Sequence, residues 1–144
     1  MNTIPLIILD TNVLVSGLCR REESVSYKLL ANIQNQRIPI AITYKLLLEY
    51  ESVLNRPAIL NLINLNESQV EIILDALIAL AYKARDHYLW RPNLEDEADN
   101  FVLEAAITTG AVLVTKNLRD FLYGDLKFPE LVIMSPKGFC DSYL

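Results

Sequence analysis

Short apolar runs alternate with longer amphipathic segments along this chain. The runs are rich in branched residues and have the length of buried strands: Ile4–Leu9, Ile38–Thr43, AVLVT and LVIM. Between them, apolar residues recur at helical spacing over 24–35, over YKLLLEYESVL before Pro57, over 67–84 and over 96–110. This alternation predicts an α/β fold, a three-layer α/β/α sandwich with a central, mainly parallel sheet and right-handed crossovers.

Local signals place several element boundaries. Asn66 or Ser68 is a candidate N-cap for the helix that begins near residue 67, and Gly110 has the position of a C′ residue. Ser135 and Pro136 predict the N-cap and first residue of a short terminal helix. ILNLIN predicts one short turn or helix, and RDHYLWRPNLEDEA is interpreted as a strand or extended piece that leads into a loop.

Polar residues stand where two of the predicted strands end. Asp10 ends the first run, and the segment from Thr115 to Asn117 ends another. In parallel sheets, ligands bind at the carboxyl ends of the strands. A buried carboxylate without a partner is costly, so we expect Asp10 to face a cation or a cleft. The alternative is that Asp10 only caps the helix that follows it.

Acidic residues at four places in the sequence are the candidate functional residues: Asp10, Glu49, the pair Asp96 and Asp99, and Asp120. The pair is spaced to share one face of a first helical turn. Carboxylates from separate stretches would repel one another at a common point unless a cation lay among them, and Mg²⁺ and Mn²⁺ prefer oxygen ligands. Taken singly, each of these acidic residues could also have a purely structural role as a helix cap, as part of a solvated helix face or as a turn residue.

Composition limits the classes of protein that fit. With 52% hydrophobic and 22% charged residues, the chain is globular, and no apolar run reaches the roughly 18 residues of a membrane span. We therefore expect a single cytoplasmic domain over residues 1–144. Cys19 and Cys140 stand apart, which indicates neither a disulfide framework nor a zinc site. The net charge of −5 argues against coating nucleic acid by charge alone, although a metal-dependent enzyme remains compatible with it.

Over nearly its full length the chain resembles the PIN domain family, especially the VapC-like toxin components of toxin-antitoxin systems. ILDTNVLVSGL is similar to the first family motif, LLLEYESVLNRP to the second, and EDEADNFVLEAAITTGAVLVTKNLRDF to the third and fourth. The resemblance implies metal ligands at Asp10, Glu49 and Asp99, with Asp96 in support. At the fourth acidic position, where many members carry Asp, this chain has Asn117. Asp120 is the candidate substitute from the next turn.

The resemblance implies an Mg²⁺- or Mn²⁺-dependent endoribonuclease that hydrolyses RNA and serves as the toxin of a toxin-antitoxin pair. Thr11, Asn12 and Thr115 would orient the ligands through hydrogen bonds. An RNA substrate needs positive charge beside the acidic site, and the candidate phosphate contacts are Arg20, Arg21, Lys45, Arg56, Arg91, Lys116 and Arg119. Each of them, taken alone, also fits solvated surface. A homodimer or an antitoxin is expected to cover the crowded apolar surface of ILDALIALAY.

Other protein classes share a strand-end aspartate. Haloacid dehalogenase-like phosphotransferases need a second acid two residues after the first, where this chain has Asn12. Receiver domains need a late strand-end Lys-Pro and an early acidic pair, and the sequence has neither. A further alternative is a non-catalytic PIN-like module that binds RNA or protein through a weakened metal site.

Overall fold

The computed structural model describes residues 3–21, 23–84, 97–118 and 131–144, and for 97–101 it describes the backbone without the side chains. Residues 85–96 of the predicted extended segment 85–98 lie outside this part of the chain, and its last two residues belong to a helix that begins at Glu97. The same holds for several predicted site residues, namely Arg91, Asp96, Arg119 and Asp120, and for the side chain of Asp99.

Within the described residues the strands are short and all pair in parallel. Strand β1 (Ile7–Leu9) pairs with β4 (Val112–Val114), which pairs with β5 (Ile133–Met134). Strand β2 (Ala41–Ile42) pairs with β3 (Tyr82–Lys83). A bridge between Ile7 and Ile40 joins the two groups, so the spatial order is β3-β2-β1-β4-β5. The predicted parallel sheet is confirmed.

Helices connect these strands, and their bounds in the described residues are α1 (Thr11–Leu18), α2 (Val25–Gln34), α3 (Tyr44–Leu54), α4 (Pro57–Ile63), α5 (Glu67–Leu80), α6 (Glu97–Thr109) and α7 (Pro136–Tyr143). Helix α1 contacts α2, which contacts α7, while α3 contacts α5 and α6. The two sets meet where α1 contacts α3 and where α4 contacts both of them. Helix α6 also lies against β1 and β4.

Caps explain why several helices begin and end where they do. Asn66 forms a capping box with Gln69 at the start of α5, so Asn66 rather than Ser68 is the N-cap. Ser135 caps α7, which has Pro136 in its first turn, as predicted. Gly110 follows α6 with φ +68°, a conformation that favours glycine. These boundaries are therefore set by local sequence.

Several predicted boundaries differ from the structure, and strands β2 (Ala41–Ile42) and β5 (Ile133–Met134) are shorter than their apolar runs. The helix predicted over 67–84 ends at Leu80, because the Tyr82 and Ala84 N–H groups donate to the carbonyls of Ile40 and Ile42, at 2.8 and 2.9 Å. Parallel pairing with β2 thus replaces the last helical turn. The first strand begins at Ile7 rather than Ile4. The preceding residues are half-buried or exposed, although the Leu6 carbonyl accepts from the Val112 N–H at 2.9 Å.

The core lies between the sheet and the helices, where Ile7, Ile8, Leu113 and Val114 are completely buried. Both β1 and β2 lead directly into a helix, α1 and α3 respectively. These helices therefore begin at the carboxyl edge of the sheet and can place side chains there. None of the helices in the described part of the chain combines the length and apolar character needed to cross a membrane.

Candidate metal centre at the carboxyl edge of the sheet

Asp10 is the best-anchored acidic side chain at this edge. It follows β1, is only 6% exposed, and forms the N-cap of α1, with Oδ1 accepting from the Thr11 N–H at 2.8 Å. Its Oδ2 accepts from the Thr115 hydroxyl at 2.6 Å. Asp10 therefore caps α1 and is also held across the sheet by the end of β4. A carboxylate has about four acceptor sites, so hydrogen bonds of this kind do not prevent it from binding a cation.

The turn after β4 fixes this arrangement further. Thr115 is completely buried, and its Oγ1 also accepts from the Asn117 N–H at 3.0 Å. The Lys116 N–H donates to Asn12 Oδ1 at 3.3 Å, and Lys116 Nζ lies 3.3 Å from Ser16 Oγ. The turn after β4 is thus joined to the first turns of α1. Asn12 and Asn117 therefore line the same cleft as Asp10.

Glu49 reaches the same site from a different element. It lies half-buried on α3, whose first turn is set by Thr43, the hydroxyl of which accepts from the Leu46 N–H at 3.2 Å. Glu49 and Asp10 both line a cleft of about 860 Å³. The other polar residues along this cleft are Thr11, Asn12, Ser16, Arg21, Glu23, Ser24, Arg56, Lys116 and Asn117.

The donors along this cleft suit a hard divalent cation. Asp10 and Glu49 supply carboxylate oxygens, and Asn12 and Asn117 supply amide groups at the same rim, which is the donor chemistry that Mg²⁺ and Mn²⁺ prefer. Among the described side chains, no group of three or more acidic, histidine or cysteine residues forms a complete metal site. The third carboxylate of the predicted set, on Asp99, is not among those side chains, although α6 carries its backbone.

The predicted RNA contacts divide into two groups. Arg21, Arg56 and Lys116 line the cleft. Arg20 instead donates to the carbonyl of Ile63 at 3.4 Å. Lys45 lies 3.6 Å from Glu104 Oε2, with side-chain exposures of 13% and 8%, so this pair links α3 to α6 inside the protein. The structure therefore brings the first three, and not these last two, to the wall of the candidate site.

Tyr50, beside Asp10, and Glu104, beside Lys45, were not among the predicted site residues. Tyr50 is 4% exposed, and its hydroxyl donates to the carbonyl of Leu9 at 2.5 Å. Burial, and secondly the nearby Asp10 carboxylate, raise the pKa of this hydroxyl far above its ordinary value, so it remains a donor. The sequence signal for Tyr50 is its place directly after Glu49. Glu104 gives no comparable signal, because it sits in an ordinary amphipathic stretch.

Comparison with known proteins gives the chain its family. The model of the PIN domain family matches residues 6–119. The chain is also similar in fold to a chain in the crystal structure of VapBC2 from Rickettsia felis bound to a DNA fragment from their promoter, with 18% identity and a TM-score of 0.60 over 90% of this chain and 98% of that one. The sequence matches none of the curated proteins with which it was compared. Because the family model spans most of the sequence and the predicted resemblance is thereby confirmed, this chain belongs to the PIN domain family.

Proposed function

We propose that this chain is an Mg²⁺- or Mn²⁺-dependent endoribonuclease that acts in the cytoplasm as the toxin of a toxin-antitoxin pair. The observation that carries the proposal is the Asp10 carboxylate. It is buried at the wall of a cleft that Glu49 also lines, and the Thr11 N–H and the Thr115 hydroxyl orient it through hydrogen bonds. Membership of the PIN domain family supports the reaction class.

The residues that would hold the cation are Asp10, Glu49 and Asp99, with Asp96 in support. All of them offer carboxylate oxygens, and Asn117 or Asp120 would supply the remaining polar contact. When bound, a divalent cation lowers the pKa of water and neutralises charge that develops on the phosphate. No side-chain nucleophile is required in this chemistry.

The remaining residues of the cleft would orient the ligands and the RNA. Thr11 and Thr115 keep Asp10 in one orientation, as outer hydrogen-bonding groups do for metal ligands generally. Arg21, Arg56 and Lys116 would contact RNA phosphates on either side of the carboxylates, because all three line the same cleft. Three cations thus offset the repulsion between the acidic wall and a polyanion.

The expected protein partners are an antitoxin and a second copy of the chain. The fold is similar to that of a chain from a VapBC2 structure, and this supports the search for an antitoxin. On α5, the helix expected to mediate such contacts, Ile72 is 67% exposed. Size-exclusion chromatography with light scattering would measure the oligomeric state directly.

The central experiment measures RNA cleavage with EDTA, with restored Mn²⁺, and in the variant Asp10→Asn. Asp141→Asn is the matched control, because it makes the same chemical change on an exposed residue of α7 that pairs with Lys137. Cleavage should vanish in EDTA, return with Mn²⁺ in wild type and Asp141→Asn, and fall by roughly a thousandfold in Asp10→Asn, since the ligand is lost.

The alternative function is a non-catalytic module, which Asn117 favours because it brings no charge to the fourth acidic position. Such a module would retain RNA equally in EDTA and in Mn²⁺ and would cut it in neither. That result, with the protein folded, would contradict the nuclease proposal.

A further inference from the structure

The peptide group between Leu9 and Asp10 is hydrogen-bonded on both sides. Its N–H donates to the carbonyl of Val114 at 2.9 Å, in the ladder with β4. In a trans peptide the C=O points opposite to the N–H, so the Leu9 carbonyl points away from β4. There it accepts from the Tyr50 hydroxyl at 2.5 Å. The backbone that carries Asp10 is thus fixed between β4 and α3.

Tyr50 also connects Asp10 and Glu49, two of the described carboxylates of the cleft. Tyr50 follows Glu49 directly on α3. Because successive side chains of an α-helix point in directions about 100° apart, these two side chains face different parts of the structure. Glu49 lines the cleft, while Tyr50 is buried beneath it against β1. The path from Asp10 through the Leu9 carbonyl and the Tyr50 hydroxyl to Glu49 contains one long-range hydrogen bond, across 41 residues of sequence.

We infer that Tyr50 is a positioning residue for the metal centre: its hydroxyl sets the distance and angle between the Asp10 and Glu49 carboxylates. This inference rests on the proposed metal-binding role of both residues. Mg²⁺ demands near-ideal octahedral geometry with short bonds, whereas Ca²⁺ accepts six to eight ligands in flexible arrangements. A residue that fixes ligand geometry should therefore matter more for the smaller cation.

The test substitutes Tyr50→Phe, which keeps the ring and removes the hydroxyl. The Mg²⁺ dissociation constant should rise roughly tenfold, as for other groups that orient metal ligands, and the Ca²⁺ constant by less than about threefold. Both are measured by isothermal titration on the intact chain. Thr109→Val is the matched control, because it also removes a hydroxyl that donates to a backbone carbonyl, that of Ala105 at 2.8 Å. It should leave both constants unchanged.

A second measurement keeps the hydroxyl in place. With 3-fluorotyrosine incorporated at position 50, the ¹⁹F resonance should move on Mg²⁺ addition with the same midpoint as binding. An unmoved resonance, unchanged Mg²⁺ affinity in folded Tyr50→Phe, or equal losses for both cations would overturn the role of Tyr50. Wild-type protein that binds neither cation overturns this inference together with the proposed metal centre. Metal binding with the expected Tyr50 effect but no RNA cleavage supports the inference and contradicts the nuclease alone.

Discussion

Two acidic side chains are buried among those that the structure describes, and they are satisfied in opposite ways. Asp10, 6% exposed, accepts from the Thr11 N–H and the Thr115 hydroxyl at the wall of the cleft. Glu104, 8% exposed, lies 3.6 Å from the Lys45 ammonium group. A backbone N–H and a hydroxyl orient the first carboxylate at the cleft, whereas a lysine ammonium group lies beside the second inside the protein.

This difference separates a binding group from a structural one. Taking a charge out of water costs free energy that a partner charge must offset. The Lys45–Glu104 pair supplies that partner within the fold and joins the two helices α3 and α6. At Asp10, which lines the cleft, the proposed role is to bind a cation from solvent. Substitutions at the two carboxylates should therefore affect different quantities, the free energy of unfolding at Glu104 and metal binding at Asp10.

The largest expected effect concerns the ion pair. Glu104→Leu removes the carboxylate that lies 3.6 Å from the Lys45 ammonium group, and breaking a buried pair in this way should lower the free energy of unfolding by about 3–5 kcal/mol. The double variant Lys45→Met with Glu104→Leu should recover most of this loss, because it removes both charges. Urea denaturation of the four proteins measures the coupling. Losses below about 1 kcal/mol in the single variants would indicate a solvated pair and would contradict the comparison.

Asp10→Asn provides the complementary experiment. The amide keeps the size of the side chain and removes the charge, so thermal stability in EDTA should equal or exceed that of wild type. At a hundred times the dissociation constant, Mn²⁺ should stabilise the wild type by about 2.7 kcal/mol and the variant by less than half as much. Differential scanning calorimetry reads both values, with Asp141→Asn as the control. An identical Mn²⁺ response in Asp10→Asn would remove Asp10 from the ligand set.

The third prediction tests how Asp10 is oriented. Thr115→Val keeps the shape of this completely buried residue and removes the hydroxyl that donates to Asp10 Oδ2 and accepts from the Asn117 N–H. The Mn²⁺ dissociation constant should rise by roughly 10–100-fold. Thr115→Ser retains the hydroxyl and should restore most of the affinity. If the Val variant binds Mn²⁺ like wild type and the Ser variant loses affinity, the methyl group and not the hydrogen bond supports the site.

Sequence patterns located Asp10 and missed Glu104 for one physical reason. Asp10 interrupts an apolar run at a strand end, so its neighbours in sequence already mark it. The role of Glu104 depends on its contact with Lys45, and the role of Tyr50 depends on its hydrogen bond to the Leu9 carbonyl. Both partners are distant in sequence. Such contacts arise only when helices pack. Strand β3 was not predicted for the same reason. AYKA continues the helical pattern in the sequence, and these residues are extended in the structure because β3 pairs with β2.

The smallest expected effect concerns Asn117, which lines the cleft and donates its N–H to Thr115 Oγ1. If the missing charge at this position weakens a second cation site, Asn117→Asp should lower the Mn²⁺ concentration for half-maximal RNA cleavage by a few fold, because a carboxylate adds charge and a second oxygen. Asp120→Ala should then reduce cleavage in the wild-type background and matter little once residue 117 is Asp.

Asn12→Asp is the matched control for that substitution. Asn12 lines the same cleft, and its Oδ1 accepts from the Lys116 N–H, so a general gain in negative charge would act at both positions. Only Asn117→Asp should shift the Mn²⁺ requirement if position 117 itself contacts the second cation. Equal shifts in both variants would indicate long-range attraction of Mn²⁺ to the cleft. Slower cleavage by Asn117→Asp at every Mn²⁺ concentration would instead show that the amide orients water or phosphate through its NH₂ group.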